Sequence, residues 1–309
     1  MIEKNKSHNY ISSYALYHIV ESLVNNLVTS GKWGRIIDYI KRIRGISVYG
    51  VEVRIEVSPK RALQLLSQLL EMLNEWGGHY GRRVIIVFDE AQYLRFSRIN
   101  FRSLIAYIYV NLTNITLILT GSEVGLLHDF LKIDDPSSEL YGRYMYEVVL
   151  KRFSREKSID FLIKGFREYG IEPPRDIVEE AVSRLNGIVG WLVFFGRICL
   201  DKGVSREAID EAFSKGVRLI MDELSELYRR SPRYRYVLEA IAYGHDTWSR
   251  IKRYITAREL KPIPDLTLHE ILQVLQKMTI IEKVYKEGEL RYKIIDPVIE
   301  YAIKYARTS

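Results

Sequence analysis

Five apolar residues in a row, Val84-Ile85-Ile86-Val87-Phe88, run from Arg82-Arg83 straight into Asp89-Glu90. A continuous apolar run this short, bounded by charge at both ends, is the pattern of a strand covered on both faces. Such strands belong to sheets sandwiched between helices, so the run predicts an α/β layer with parallel strands. Two similar runs follow, ITLILT over 115–120 and MYEVVL over 145–150. The intervals between them carry helical spacing over 99–110 and a turn into a short helix over 121–131.

Upstream, residues 10–30 have apolar positions at helical spacing, and a second helix is expected around 33–43. The stretch 45–59 alternates in the strand manner and ends at Pro59. A helix over 60–76 then starts with that proline in its first turn and is expected to stop at Gly77-Gly78. Beyond Leu150 the pattern turns helical: 153–170 with Ser154 as N-cap, 171–187, 189–203 and a long helix over 205–230. Helices over 234–244, 247–260 and 266–278 come next, followed by two alternating strands joined at Glu287-Gly288-Glu289. Three helices and a small hairpin make a winged helix-turn-helix. The expected domains are residues 1–151 (α/β), 152–230 (helical lid) and 231–309 (winged helix).

The chain has 309 residues, 47% hydrophobic and 28% charged, enough for a sizeable core. No window approaches a membrane span, and the start has no apolar core like that of a signal peptide, so the chain reads as cytoplasmic and free of membrane. The single cysteine, Cys199, excludes a disulfide framework within the chain and reads as a buried small hydrophobe. The six histidines are scattered, with no metal-binding spacing. Of the formal net charge of +7, the segment from Arg229 onward supplies sixteen Lys/Arg against ten Asp/Glu, or +6. That excess favours a polyanionic partner at the C-terminal end.

In a doubly wound sheet, ligands sit at the carboxyl ends of the strands. Asp89 at such an end can hold Mg²⁺ through water, and Glu90 can polarise an attacking water. The neighbouring strand ends in Thr120-Gly121-Ser122, whose hydroxyls could sense a γ-phosphate. Arg143, just before the third run, could reach phosphate oxygens and stabilise developing charge. Taken singly, these residues also fit solvated strand ends, a turn and a surface arginine.

DEAQYLR (89–95), ILTGSEVGLL (118–127), LYGR (140–143), LKRFSREKSIDFLIKGFREYGI (150–171), VGWLVFFG (189–196) and the tail from RYRYVLEAIAYG onward resemble, in this order, the archaeal P-loop ATPase family. That family is related to STAND-type and AAA+ proteins. The resemblance implies an ATP-binding α/β domain, a helical lid and a C-terminal winged helix, with ATP and Mg²⁺ as ligands. It implies that Asp89 and Glu90 form the Walker B pair, that Ser122 is the polar sensor, and that Arg143 matches the arginine after the loop. Thr120 would contact nucleotide, and the lid turn containing Gly190 would pack near the base. Where the family has proline before that glycine, this chain has Val189.

The family's phosphate loop, G-x-x-x-x-G-K-[ST], is missing. The only Gly-Lys pair is Gly31-Lys32, followed by Trp33, with no glycine five residues earlier. By the resemblance, residue 1 falls after the place of that loop and of two strands, one of them central. The fold expected is thus a truncated P-loop sheet with a lid and a winged helix. An upstream start or a gene shortened relative to its relatives would explain this; otherwise the N-terminal segment would fill the vacant central slot, or another chain would supply a strand. Besides ATP, the expected partners are DNA or a protein through the winged helix and a second copy of this chain.

The third winged-helix helix, 266–278, places Leu268, Ile271, Leu272 and Leu275 in the core. Its outer face is thinly basic, with Lys277. Arg250, Lys252 and Arg253 on the preceding helix could meet a nucleic-acid backbone, whereas Glu287 and Glu289 at the wing tip would oppose phosphate. Two functions stand: an ATPase with slow hydrolysis coupled to movement of lid and winged helix, or a degenerate, nucleotide-independent DNA-binding or adaptor protein.

Overall fold

The computed structural model describes residues 12–29, 35–49, 52–56, 58–97 and 99–305. The Gly31-Lys32 pair lies outside them. The chain divides into two compact units, Met1–Met145 and Tyr146–Ser309. No helix among the described residues is long and apolar enough to cross a membrane.

In the first unit, α1 (Ser13–Thr29) buries Leu16, Val20, Val24 and Val28, a stripe with a four-residue repeat. It packs on α3 (Ala62–His79), with the short α2 (Ile36–Ile40) beside both. The alternating stretch expected as one strand folds back on itself. β1 (Ile46–Tyr49) pairs antiparallel with β2 (Glu52–Ile55), matching Ile46 to Ile55. Alternation is blind to a reversal of direction, which is why the hairpin reads as a single strand. α3 does not stop at Gly77-Gly78 either. A Cβ on Gly77 would come within 2.6 Å of the Arg82 carbonyl oxygen, and one on Gly78 within 2.8 Å of Asn114 Nδ2. These glycines permit close approach of the following turn rather than ending the helix.

β3 (Val84–Phe88) and β4 (Ile115–Leu119), joined through α4 (Phe101–Asn111), form a parallel pair running from Val84↔Ile115 to Phe88↔Leu119. This parallel βαβ unit is the α/β layer read from the sequence. One face of the pair, Val84, Ile86 and Phe88 with Ile115, Leu117 and Leu119, joins the apolar core. The other is not covered among the described residues: Ile85 is 63% exposed, Val87 54% and Ile118 43%. The expectation of burial on both faces therefore holds for one face only.

The third expected strand, 145–150, forms no ladder. Tyr146, Val148, Val149 and Leu150 are exposed, Leu150 at 90%. A strand needs a neighbour to satisfy its backbone, and the described residues supply none beside this segment.

The second unit holds α6 (Arg155–Glu168), α7 (Arg175–Leu185), α8 (Val189–Lys202), α9 (Arg206–Arg230), α10 (Pro232–Ala242), α11 (Trp248–Glu259) and α12 (Asp265–Lys277), then the hairpin of β5 (Ile281–Lys286) and β6 (Glu289–Ile294). Ser154 and Ser205 cap their helices, accepting from the Lys157 and Ala208 amides at 3.3 Å each. Leu268, Ile271, Leu272 and Leu275 are buried as expected. A last helix, α13 (Pro297–Tyr305), was not anticipated; it packs along α9 and α10. The segments expected as lid and winged helix share one apolar core, in which Leu192 and Phe213 join Val237, Leu272 and Val298. Cys199 lies in that core, where burial pushes its thiol up to about 11.

Candidate functional site

β3 ends at Phe88, and the chain leaves it through Asp89 and Glu90 into a 3₁₀ turn over Ala91–Phe96. Glu90 takes a left-handed backbone, φ 52° and ψ 46°, which is uncommon for a residue with a side chain and recurs at functional sites. Two backbone bonds hold the turn to the end of β4. The Thr120 amide donates to the Phe88 carbonyl at 2.9 Å, and the Ala91 amide donates to the Thr120 carbonyl at 2.8 Å. The turn packs on α5 (Val124–Leu131), with Ala91 and Leu94 buried.

The parallel register brings each acid to a hydroxyl on the neighbouring strand end. The Thr120 hydroxyl donates to Asp89 Oδ1. The Ser122 amide and hydroxyl both donate to Glu90 Oε2, at 3.2 and 2.9 Å. Asp89, Glu90, Thr120 and Ser122 therefore form one cluster at the carboxyl end of the sheet, the end at which such sheets bind ligands. The Ser122 hydroxyl, expected to sense a phosphate, is already engaged by Glu90.

Gln92 joins the cluster, with no role legible from its place in the sequence. Its side chain is completely buried and donates through Nε2 to Glu90 Oε2. Its Oε1 has no hydrogen-bond partner among the described residues and lies 2.5 Å from where a Cβ on residue 121 would stand. Gly121 thus leaves room for an amide. A buried unpaired carbonyl oxygen costs about 1–3 kcal/mol, which marks Gln92 as a residue kept for more than packing. DEAQ contains it, but the chemical contacts span about thirty residues and no periodicity reveals them.

The other expected residues lie elsewhere. The Arg143 guanidinium sits over the Tyr109 ring, 5.5 Å from its centroid, and pairs with neither acid. Gly190 is in the second unit, exposed on the first turn of α8, and a side chain there would meet open space. On the winged helix, Lys252 is paired with Asp265 at 2.7 Å and Arg250 lies 3.9 Å from Asp246. Lys277 is half-buried, while Arg253 is exposed on α11. The wing-tip acids turn onto their own hairpin, Glu287 and Glu289 meeting Arg291 at 3.4 and 3.3 Å.

A carboxylate beside a hydroxyl offers the hard oxygen donors that suit Mg²⁺, so Asp89 with Thr120 fits the metal. No group of three or more His, Cys, Asp or Glu residues gathers among the described residues.

Residues 228–295 match the family model described as the MCM protein C-terminal winged helix-turn-helix domain. The protein MJECL04 of Methanocaldococcus jannaschii, itself uncharacterised, is 25% identical over 258 residues; the match covers 80% of this chain but only 55% of that protein, so the chain spans about half the length of this curated relative. The structure of ORC2 from Aeropyrum pernix, solved as ADPNP–ADP complexes, superposes with a TM-score of 0.54 at 15% identity, covering 97% of this chain and 79% of that one, which establishes a shared fold. The Walker-type ATPase PABY2304 of Pyrococcus abyssi superposes with a TM-score of 0.78 at 37% identity, covering 98% of this chain and 81% of that one. With a P-loop ATPase fold and a C-terminal winged helix, the chain belongs to the family of this Walker-type ATPase.

Proposed function

We propose that this chain carries the Walker B half of an ATPase site, with ATP binding and slow hydrolysis coupled to rearrangement of the lid and winged helix. The observation behind this reading is the pairing of Asp89 with Thr120 and of Glu90 with Ser122 across the carboxyl ends of two parallel strands. Mg²⁺, when bound with ATP, would offset phosphate charge. Asp89 would hold its water shell, and Thr120 would fix the Asp89 carboxylate. Glu90 would accept a proton from the attacking water. Arg143 and Gly190 are secondary candidates for phosphate and base contact.

The phosphates also need a cradle of backbone amides and a lysine. The 309 residues contain no such loop, so we place its source outside them, on added sequence or on a second chain. Calorimetric titration of this chain with Mg·ATP, with Asp89→Ala as control, tests the reading. Saturable binding lost in the variant supports it. No binding at millimolar ATP, with or without a second chain carrying the loop, removes it and favours a nucleotide-independent winged-helix protein that binds DNA or protein. Arg253 would then be a first contact to examine.

A further inference from the structure

We propose that Gln92 is a positioning residue for Glu90, orienting its carboxylate so that one oxygen is held and the other is free to accept from water. The proposal rests on the ATPase reading of the cluster. Glu90 Oε2 accepts three bonds, from Gln92 Nε2 and from the amide and hydroxyl of Ser122. An oxygen with three donors has no capacity left for a proton. Glu90 Oε1 has no hydrogen-bond partner among the described residues, so it is the oxygen left to accept from water.

The three donors differ in what they can enforce. Ser122 is exposed, at the start of a turn. Gln92 is completely buried in the 3₁₀ turn, between the αL residue Glu90 and the face of α5. Its amide cannot be reversed, because the carbonyl oxygen would then face the Glu90 carboxylate. The unpaired Gln92 Oε1 against Gly121 is the consequence of directing the donor side at Glu90. An amide serving packing alone would be better replaced by an apolar side chain of the same length. Gly121 belongs to the same device, since any Cβ there displaces the amide.

The test combines hydrolysis with a measurement that needs no nucleotide. Gln92→Met keeps length and removes the donor; Gly121→Ala keeps Gln92 and pushes its amide aside. In steady-state phosphate release, both variants should lower kcat by about 10- to 100-fold, the scale of a small misplacement of a reacting group, with KM for ATP unchanged. In the absence of nucleotide, thermal unfolding of Gln92→Met, Glu90→Ala and the double variant should be non-additive, because the two side chains are in contact. Unchanged kcat in both variants, or a rise in KM matching the fall in kcat, overturns the proposal. So does additive unfolding. If the unsubstituted chain, given the phosphate loop, releases no phosphate, the ATPase reading falls, and the nucleotide-free cycle alone decides: non-additive unfolding upholds Gln92 as the group that orients Glu90, and additive unfolding removes it.

Discussion

Glycines at 77 and 78 look alike in the sequence and differ in the fold. A methyl on Gly77 meets the backbone carbonyl of Arg82, which cannot move without moving the turn into β3. A methyl on Gly78 meets only the side-chain amide of Asn114, which donates to the Asn74 carbonyl at 3.1 Å and belongs to a side chain rather than to the backbone. Overpacking costs about 1–3 kcal/mol, whereas replacing a helical glycine by alanine gains roughly 1 kcal/mol. Gly77→Ala should therefore lower stability by up to about 2 kcal/mol in urea unfolding, net of that gain, while Gly78→Ala stays close to neutral.

At the scale of elements, the bounds of β3 could be read directly because apolar residues stop where charges start at both ends. The core positions of α12 were also readable, since a helical period names its buried face. The hairpin of β1 and β2 was not, because alternation carries no direction. The unpaired run at 145–150 was not either: Met145 to Leu150 have strand composition, and whether they form a strand depends on a neighbour elsewhere. The position of Asp89 and Glu90 at the end of β3 could be read from the sequence, but the contacts of Glu90 could not, since Ser122 reaches it across the β3–β4 register. Likewise, the apolar run of β3 says nothing about which face is covered. Val84 is buried and Val87 is exposed. Val84→Thr should cost about 1–3 kcal/mol by burying an unsatisfied hydroxyl, and Val87→Thr less than about 0.5 kcal/mol, as at a surface position. Equal losses in chemical denaturation would mean that both faces are covered in solution.

At the scale of the whole molecule, the second unit is closed by a contact between distant parts of the chain. Trp191 Nε1 donates to Asp296 Oδ2 at 2.7 Å across 105 residues, joining the start of α8 to the residue before α13. Asp296 Oδ1 accepts the Val298 amide at 2.7 Å. Burial raises the Asp296 carboxyl above its usual value of 3.8, opposed by the bond from Trp191 and the nearby charge of Arg152. A carboxyl raised by folding binds protons more tightly in the native state. Its contribution therefore falls as pH rises from the ordinary carboxyl value through the raised one. Stability compared with that of Asp296→Asn should show this as a downward slope in that window, measured by denaturation at a series of pH values; an upward slope would contradict the burial. The same contact sets an order of events during synthesis. α8 leaves the ribosome 105 residues before its partner is made, a delay of roughly 5–20 s at ordinary elongation rates. Until then the Trp191 indole lacks its acceptor, and the surface beside Gly216 lacks Val298, so the nascent second unit cannot complete its core before the final turn of α13 is translated. A chain released early would display that unfinished surface to chaperones and proteases.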